Sequence, residues 1–229
     1  MTPRPPSGPA DVVVEWTNRG VNGMNDQKPI VFVVDDDDGV RNSLRLLFKS
    51  VGMPVIVYPS PQIFLAGYED SQPGCLVLDV RMPEMTGLEL QQELNRRGAA
   101  MPVIFISGHG DIPMAVEALH AGASDFLQKP FREQDLLDRV RSALDKDAAN
   151  RRQLGELGRI RARLESLTER EREVLTLVTG GKLNKVIAAE LALSTRTVEI
   201  HRARVMEKME APSLAQLVRM VMELERRRP

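Results

Sequence analysis

The chain has 229 residues and a mass of 25.6 kDa, with 42% apolar and 28% charged residues. That length suits one large domain or, more often, two small ones with cores of their own, and that composition excludes a disordered, fibrous or disulfide-stapled protein. The longest apolar run, Ile30 to Val34, has five residues, far short of the ~20 of a membrane span. No basic region followed by an apolar stretch marks a secretory signal. The single cysteine, Cys75, has no disulfide partner and no companions for a cysteine-based zinc site, so a cytoplasmic location is expected.

The net charge of −1 conceals an asymmetry. Residues 24–145 carry 11 Lys and Arg against 18 Asp and Glu, whereas 146–167 carry 6 against 3 and 168–229 carry 12 against 9. An acidic front joined to a basic back suggests two domains facing different partners, the back one a candidate for nucleic acid.

Residues 1–28 are proline-rich at their start and read as a disordered tail, with Met24 a possible translation start. From Ile30 the pattern becomes regular. Ile30 to Val34 is a continuous β-branched run, as expected of a strand buried on both faces. Val40, Leu44, Leu47, Phe48 and Val51 then fall on one helical face that Gly52 and Pro54 end, with Asp37 and Asp38 as its caps. Val55 to Tyr58, Cys75 to Leu78, Val103 to Ile106 and Ser124 to Leu127 read as further strands. Helices near 60–69, 87–97, 112–121 and 132–145 alternate with them. Five such units predict a doubly wound parallel sheet with helices on both faces, whose ligands bind beyond the carboxyl ends of the strands.

Residues 146–164 carry Leu154, Leu157, Ile160 and Leu164 at helical spacing and read as a helical linker or as a short inter-subunit helix pairing. Beyond them no strand pattern remains. Thr168 to Glu171 forms a capping box, Gly180-Gly181 stops the helix it opens, and Asn184 to Leu191 is a second short helix. Ser194 caps a third running to about Met209, and Pro212-Ser213 opens a fourth. The turn at Ala192 to Thr195 fits a helix-turn-helix.

The chemistry lies at strand ends. Asp35 and Asp36 follow the first strand, Asp79 ends the third, Ser107 follows the fourth and Lys129-Pro130 follows the fifth. In a parallel sheet these side chains converge. Clustered carboxylates repel one another, a hard cation such as Mg²⁺ relieves the repulsion, and a lysine and a hydroxyl opposite would complete a phosphoryl pocket. Taken singly, each residue has an ordinary role as a cap, a loop residue or a surface lysine.

The segments VFVVDDDDGVR, CLVLDVRMPEMTG, VIFISGHGD and DFLQKPF resemble the four signatures of two-component response-regulator receiver domains across residues 30–145. The resemblance implies a flavodoxin-like (βα)5 receiver over 29–145. It implies Asp79 as phosphoryl acceptor, and Mg²⁺ held by Asp35, Asp36, Asp79 and the backbone carbonyl of Arg81. Lys129 would contact the phosphoryl oxygens, Ser107 would be the mobile hydroxyl and Phe126 its coupled aromatic. Pro83 and Gly87 would shape the loop after Asp79, and Lys129-Pro130 would be a cis peptide. Arg81 and His109 would overhang the acyl phosphate. A sensor histidine kinase would be the donor.

LTEREREVL, GGKLNKVIAAEL and STRTVEIHRARVMEKM resemble the LuxR-type helix-turn-helix, and with the receiver they point to the FixJ/NarL subfamily of transcription regulators. This implies an all-α four-helix DNA-binding domain over 165–229, binding double-stranded DNA as a homodimer formed on phosphorylation and acting on RNA polymerase. On the third helix Arg196, Glu199, Ile200, Ala203 and Arg204 share one face that should enter the major groove, beside Thr195 and Thr197 at its start. Arg196, Arg204 and Lys185 are expected to contact phosphates. Glu199 could accept from a cytosine amino group, or simply pair on the surface; Ile200 could touch a thymine methyl. The resemblance places Leu217 and Val221 of the fourth helix at a dimer interface, packing within the domain being the alternative. Two competing functions are a Mg²⁺-dependent phosphohydrolase with an aspartyl nucleophile, disfavoured by Arg81 where a second acid would stand, and a protein-binding adaptor, disfavoured by the basic residues.

Overall fold

In the computed structural model, which describes residues 28–108 and 112–226, the β-branched run of Ile30–Val34 forms β1. Asp37 caps α1 (Asp38–Ser50) by accepting from the backbone amides of Gly39 and Val40. There follow β2 (Val55–Tyr58), α2 (Pro61–Gly67), β3 (Gly74–Asp79), α3 (Gly87–Arg96), β4 (Val103–Ser107), α4 (Ile112–His120), β5 (Asp125–Gln128) and α5 (Glu133–Glu165). All pairings are parallel, in the order β2-β1-β3-β4-β5. The expected tail up to Gln27, the proposed start at Met24 and His109 lie outside the described residues.

Both faces of the sheet are apolar because both are covered. Val31, Val33, Val77, Ile104 and Ile106 pack against Leu44 and Phe48 of α1 and against Leu136 and Val140 of α5. Phe32, Leu76, Leu78 and Phe105 pack on the other face against Phe64 of α2, Leu90 and Leu94 of α3 and Ala118 of α4. Cys75 is fully buried, and desolvation pushes its thiol up to about 12, which makes it a packing residue. Chain order reverses between β1 and β3, and the carboxyl edge at that reversal is where such sheets bind ligands.

Among the described residues, no helix is long and apolar enough to cross a membrane. The linker does not begin a new element: α5 continues through it from Glu133 to Glu165. The chain divides into two compact units, one ending at Arg151 and the other beginning at Arg152. In the second, α6 (Glu169–Thr179), α7 (Asn184–Glu190), α8 (Thr195–Lys208) and α9 (Leu214–Glu225) enclose Val174, Val178, Ile187, Val198, Val205 and Leu217. Thr168 and Glu171 complete the capping box of α6 in both directions.

Candidate functional site

β1 and β3 are neighbours in register, so Asp35 and Asp79 emerge side by side at the carboxyl edge. The chain returns to the same edge at Lys129, just past β5. Its ammonium stands 2.8 Å from Asp35 Oδ2 and 2.8 Å from Asp79 Oδ1. The remaining carboxylate oxygens are also engaged. Asp35 Oδ1 accepts from the Asp37 amide at 2.9 Å, and Asp79 Oδ2 accepts from the Arg81 amide at 2.7 Å. Two carboxylates are thus oriented by one lysine and two backbone donors.

Burial, with Asp35 only 1% exposed, pushes its carboxyl above the usual range, although the Lys129 hydrogen bond and the Asp37 amide pull the other way. Burial alone would lower the Lys129 pKa. The hydrogen bonds and charges of Asp35 and Asp79 outweigh it, and the net shift is upward. A cation between two carboxylates leaves the pocket short of positive charge.

Ser107 is buried beside them, and its carbonyl accepts from the Lys129 amide at 2.7 Å, joining the ends of β4 and β5. The Lys129-Pro130 peptide is cis. Phe126, on β5, is half-buried, with its ring centroid 6.5 Å from that of Phe105. After Asp79 the chain turns through Pro83 and through Glu84, whose φ is +65°. It then closes where the Gly87 amide donates to the Val80 carbonyl at 2.9 Å. A Cβ on Gly87 would lie 2.2 Å from the Asp79 carbonyl oxygen, so this approach requires glycine.

The expected residues do not all converge. Asp36 does not join Asp35 and Asp79: it is exposed, because successive residues leaving a strand point to opposite sides and Asp35 takes the inward one. Among the described residues no three acidic, histidine or cysteine side chains are gathered as a metal cluster. The Arg81 side chain is exposed, and its amide is the part that reaches Asp79. One contributor escaped the sequence reading. Arg41, on the first turn of α1, donates to the Asp35 carbonyl at 2.6 Å; the hint was a basic residue six positions after the strand-end acid.

In the helical unit, Thr195, Arg196, Glu199, Ile200, Ala203 and Arg204 are all exposed on α8, and Val198 and Val205 are buried on its other side. Ile200 is 46% exposed. Thr197 is half-buried, and its hydroxyl lies 2.8 Å from that of Ser194, the N-cap, so Thr197 shapes the start of the helix. Lys185 is exposed on α7, and Arg202 of α8 donates to Asn184 of α7 at 3.0 Å, tying the two helices together. Lys208 Nζ lies 2.6 Å from Glu171 and holds that carboxyl below its usual range.

The expectation for α9 is overturned in part. Leu217 is 0% exposed in the core of the unit, and Val221 packs against that core. The apolar residues of α9 make a stripe wide enough to cover two surfaces, and Leu217 and Met220 take the inner one. Met222, 57% exposed, lies outside with Leu214. Met222 also lines a groove of about 430 Å³ with Ala215, Val218, Arg219, Glu223 and Arg226.

Residues 31–141 match the family described as response regulator receiver domain, and residues 165–221 the bacterial regulatory proteins of the luxR family. Response regulator protein TmoT of Ectopseudomonas mendocina is 46% identical over 90% of this chain and 94% of its own. Transcriptional regulatory protein FixJ of Azorhizobium caulinodans is 48% identical over 84% and 91%. Among solved structures, response regulator StyR aligns with a TM-score of 0.80 at 45% identity, covering 86% of this chain and 99% of its own. Parallel sheet, acidic strand ends, helix-turn-helix and near-full-length relatives lead to one assignment: the chain belongs to the two-component response regulators that join a receiver domain to a LuxR-type DNA-binding domain.

Proposed function

We propose that Asp79 accepts a phosphoryl group from a phosphohistidine of a sensor histidine kinase, and that this modification controls binding of the helical domain to double-stranded DNA. The observation that carries the reading is the Lys129 ammonium bridging Asp35 and Asp79 at 2.8 Å from each. A carboxylate oxygen of Asp79 forms the bond to phosphorus as the phosphorus–nitrogen bond of the kinase imidazole breaks, the electron pair leaving with the imidazole nitrogen. Lys129 turns from the carboxylates to the incoming phosphoryl oxygens, and the Arg81 amide keeps the acceptor oriented. The new group adds roughly −1.5 to −2 charge, toward which Ser107 moves, with Phe126 filling the space behind it.

The donor set suits Mg²⁺, being all oxygen: the carboxylates of Asp35, Asp36 and Asp79 and the Arg81 carbonyl would hold it. When bound, the ion supplies positive charge to the transferring group. The protein is a switch rather than a phosphatase for external esters, because the second position after Asp79 holds Arg81 and no acid. Its domains are the receiver over 29–145, the helical linker over 146–164 and the DNA-binding domain over 165–229.

On DNA, Arg196, Arg204 and Lys185 hold phosphates, while Glu199, Ile200 and Ala203 meet base edges, with Thr195 and Thr197 at the helix start. Phosphorylated chains pair as homodimers through the outer face of α9, with Met222 and Val218 replacing Leu217 as the contact residues. RNA polymerase is the downstream partner, and binding to DNA places the protein in the cytoplasm. The test is phosphate incorporation from a phosphorylated kinase into the parent chain and into Asp79→Asn. Loss of label with an unchanged circular dichroism spectrum is expected; label persisting in the variant refutes the assignment.

A further inference from the structure

α5, which runs from Glu133 to Glu165, is held firmly at Asp147 and Arg151 and again from Ile160 onward, and is built weakly between these points. On the first side, Asp147 is buried, and its Oδ2 accepts from the Gly74 amide at 3.0 Å, where β3 begins. Arg151, one helical turn later, grips the same carboxylate through Nε at 2.8 and 3.0 Å. Its two terminal nitrogens reach the carbonyls of Asp70, Ser71 and Gln72 at 3.2, 3.0 and 2.7 Å. One guanidinium therefore fastens the helix to the loop before β3 by three hydrogen bonds, while its Nε holds Asp147 on the same helix. On the second side, Ile160 is buried in the core of the helical unit, and Leu164 packs against that core. Arg163 pairs with Glu210, and Arg172 of α6 donates to the carbonyls of Leu164 and Glu165, satisfying groups that the end of α5 leaves open.

Between these anchors, residues 152–159 are all exposed except Leu157. Two of them are glycine. Neither Gly155 nor Gly158 takes a positive φ, and a Cβ added to either would meet nothing within 4 Å. Neither turn geometry nor close packing therefore calls for glycine there. What glycine does in a helix interior is weaken it, because it loses the most backbone freedom on ordering. The ion pair of Arg159 with Glu156 is exposed and offers little compensation.

We propose that residues 152–159 are a joint in α5. They open to non-helical conformations while the Arg151 clamp and the Ile160 anchor keep both flanks helical, so the connection acts as a jointed tether. This rests on helix energetics and packing and is independent of the phosphoryl chemistry.

Hydrogen–deuterium exchange on the full chain tests it, comparing amides of 152–159 with those of 136–151 and 160–178. The joint should exchange at least tenfold faster than either flank. Alanine at one glycine should slow it about fivefold and Gly155→Ala with Gly158→Ala about twentyfold, the factors that correspond to the glycine–alanine difference in helix propensity. Arg151→Gln should extend the fast segment back toward Asp147. Uniform protection from 136 to 165 would overturn the proposal. So would unchanged exchange in the alanine pair, including the case in which those variants merely change the oligomeric state, as a helix-pairing stripe would.

Discussion

Removing the Lys129 charge with a side chain of similar reach, Lys129→Met, should expose the electrostatic logic of the pocket. In the parent, Asp35 is 1% exposed and Lys129 compensates both it and Asp79. Deleting one partner of a fully buried pair costs about 3–5 kcal/mol. The Lys129 side chain is 23% exposed, so water screens part of the loss, and about 2–3 kcal/mol is expected at pH 7.5. For a chain of this size that lowers the melting temperature by roughly 5–10 °C.

The deficit must depend on pH in a definite direction. The Asp35 pKa is already raised by burial, and loss of the lysine removes two of the influences that lower it. A carboxyl whose folded pKa exceeds its unfolded one destabilises when ionised, and the penalty fades as pH falls through the folded value. Scanning calorimetry from pH 7.5 to 4.5 should therefore show the variant approaching the parent in acid. Millimolar Mg²⁺ should stabilise the variant more than the parent, by supplying the missing charge. Equal melting at pH 7.5, or a deficit constant across the range, would refute the reasoning.

Gly87→Ala should destabilise the receiver by about 1–3 kcal/mol or more, since the new methyl cannot avoid the Asp79 carbonyl 2.2 Å away; a urea titration unchanged from the parent would contradict this. Leu217→Ala should cost about 2–4 kcal/mol in the helical domain, whereas Met222→Ser should cost under ~0.5 kcal/mol and yet weaken assembly on paired half-sites. The reverse pattern in calorimetry and gel-shift assays would restore Leu217 to the interface. Arg204→Ala should weaken binding to every duplex and lower the slope of log K against log salt by about one; an unchanged slope removes Arg204 from the phosphate contacts.

The first four strands were legible because each holds a continuous apolar run bounded by turn residues, and β1 and β2 have the predicted limits. The start of β5 was not: Ser124 precedes the strand, which begins at Asp125, a residue of low strand propensity that pairs with Ile104. Convergence of Asp35, Asp79 and Lys129 followed from parallel topology alone, whereas the outward course of Asp36 depends on side-chain direction. On α9, spacing could not decide which half of a wide apolar stripe faces inward. The Asp147–Arg151 clamp left no trace in the sequence, because its partners are backbone groups that any residue carries.

The wiring of the Lys129 ammonium has an implication for the life of the newly made chain. Its two carboxylate partners lie 94 and 50 positions upstream, at the ends of β1 and β3, while Lys129 follows the last strand. No shorter stretch of chain contains the set. A nascent or partly unravelled receiver that has not yet added β5 lacks the cation between its acids, and under the phosphotransfer proposed above it would present a kinase with a defective acceptor. On that reading, competence to be signalled to arrives in one step with completion of the sheet.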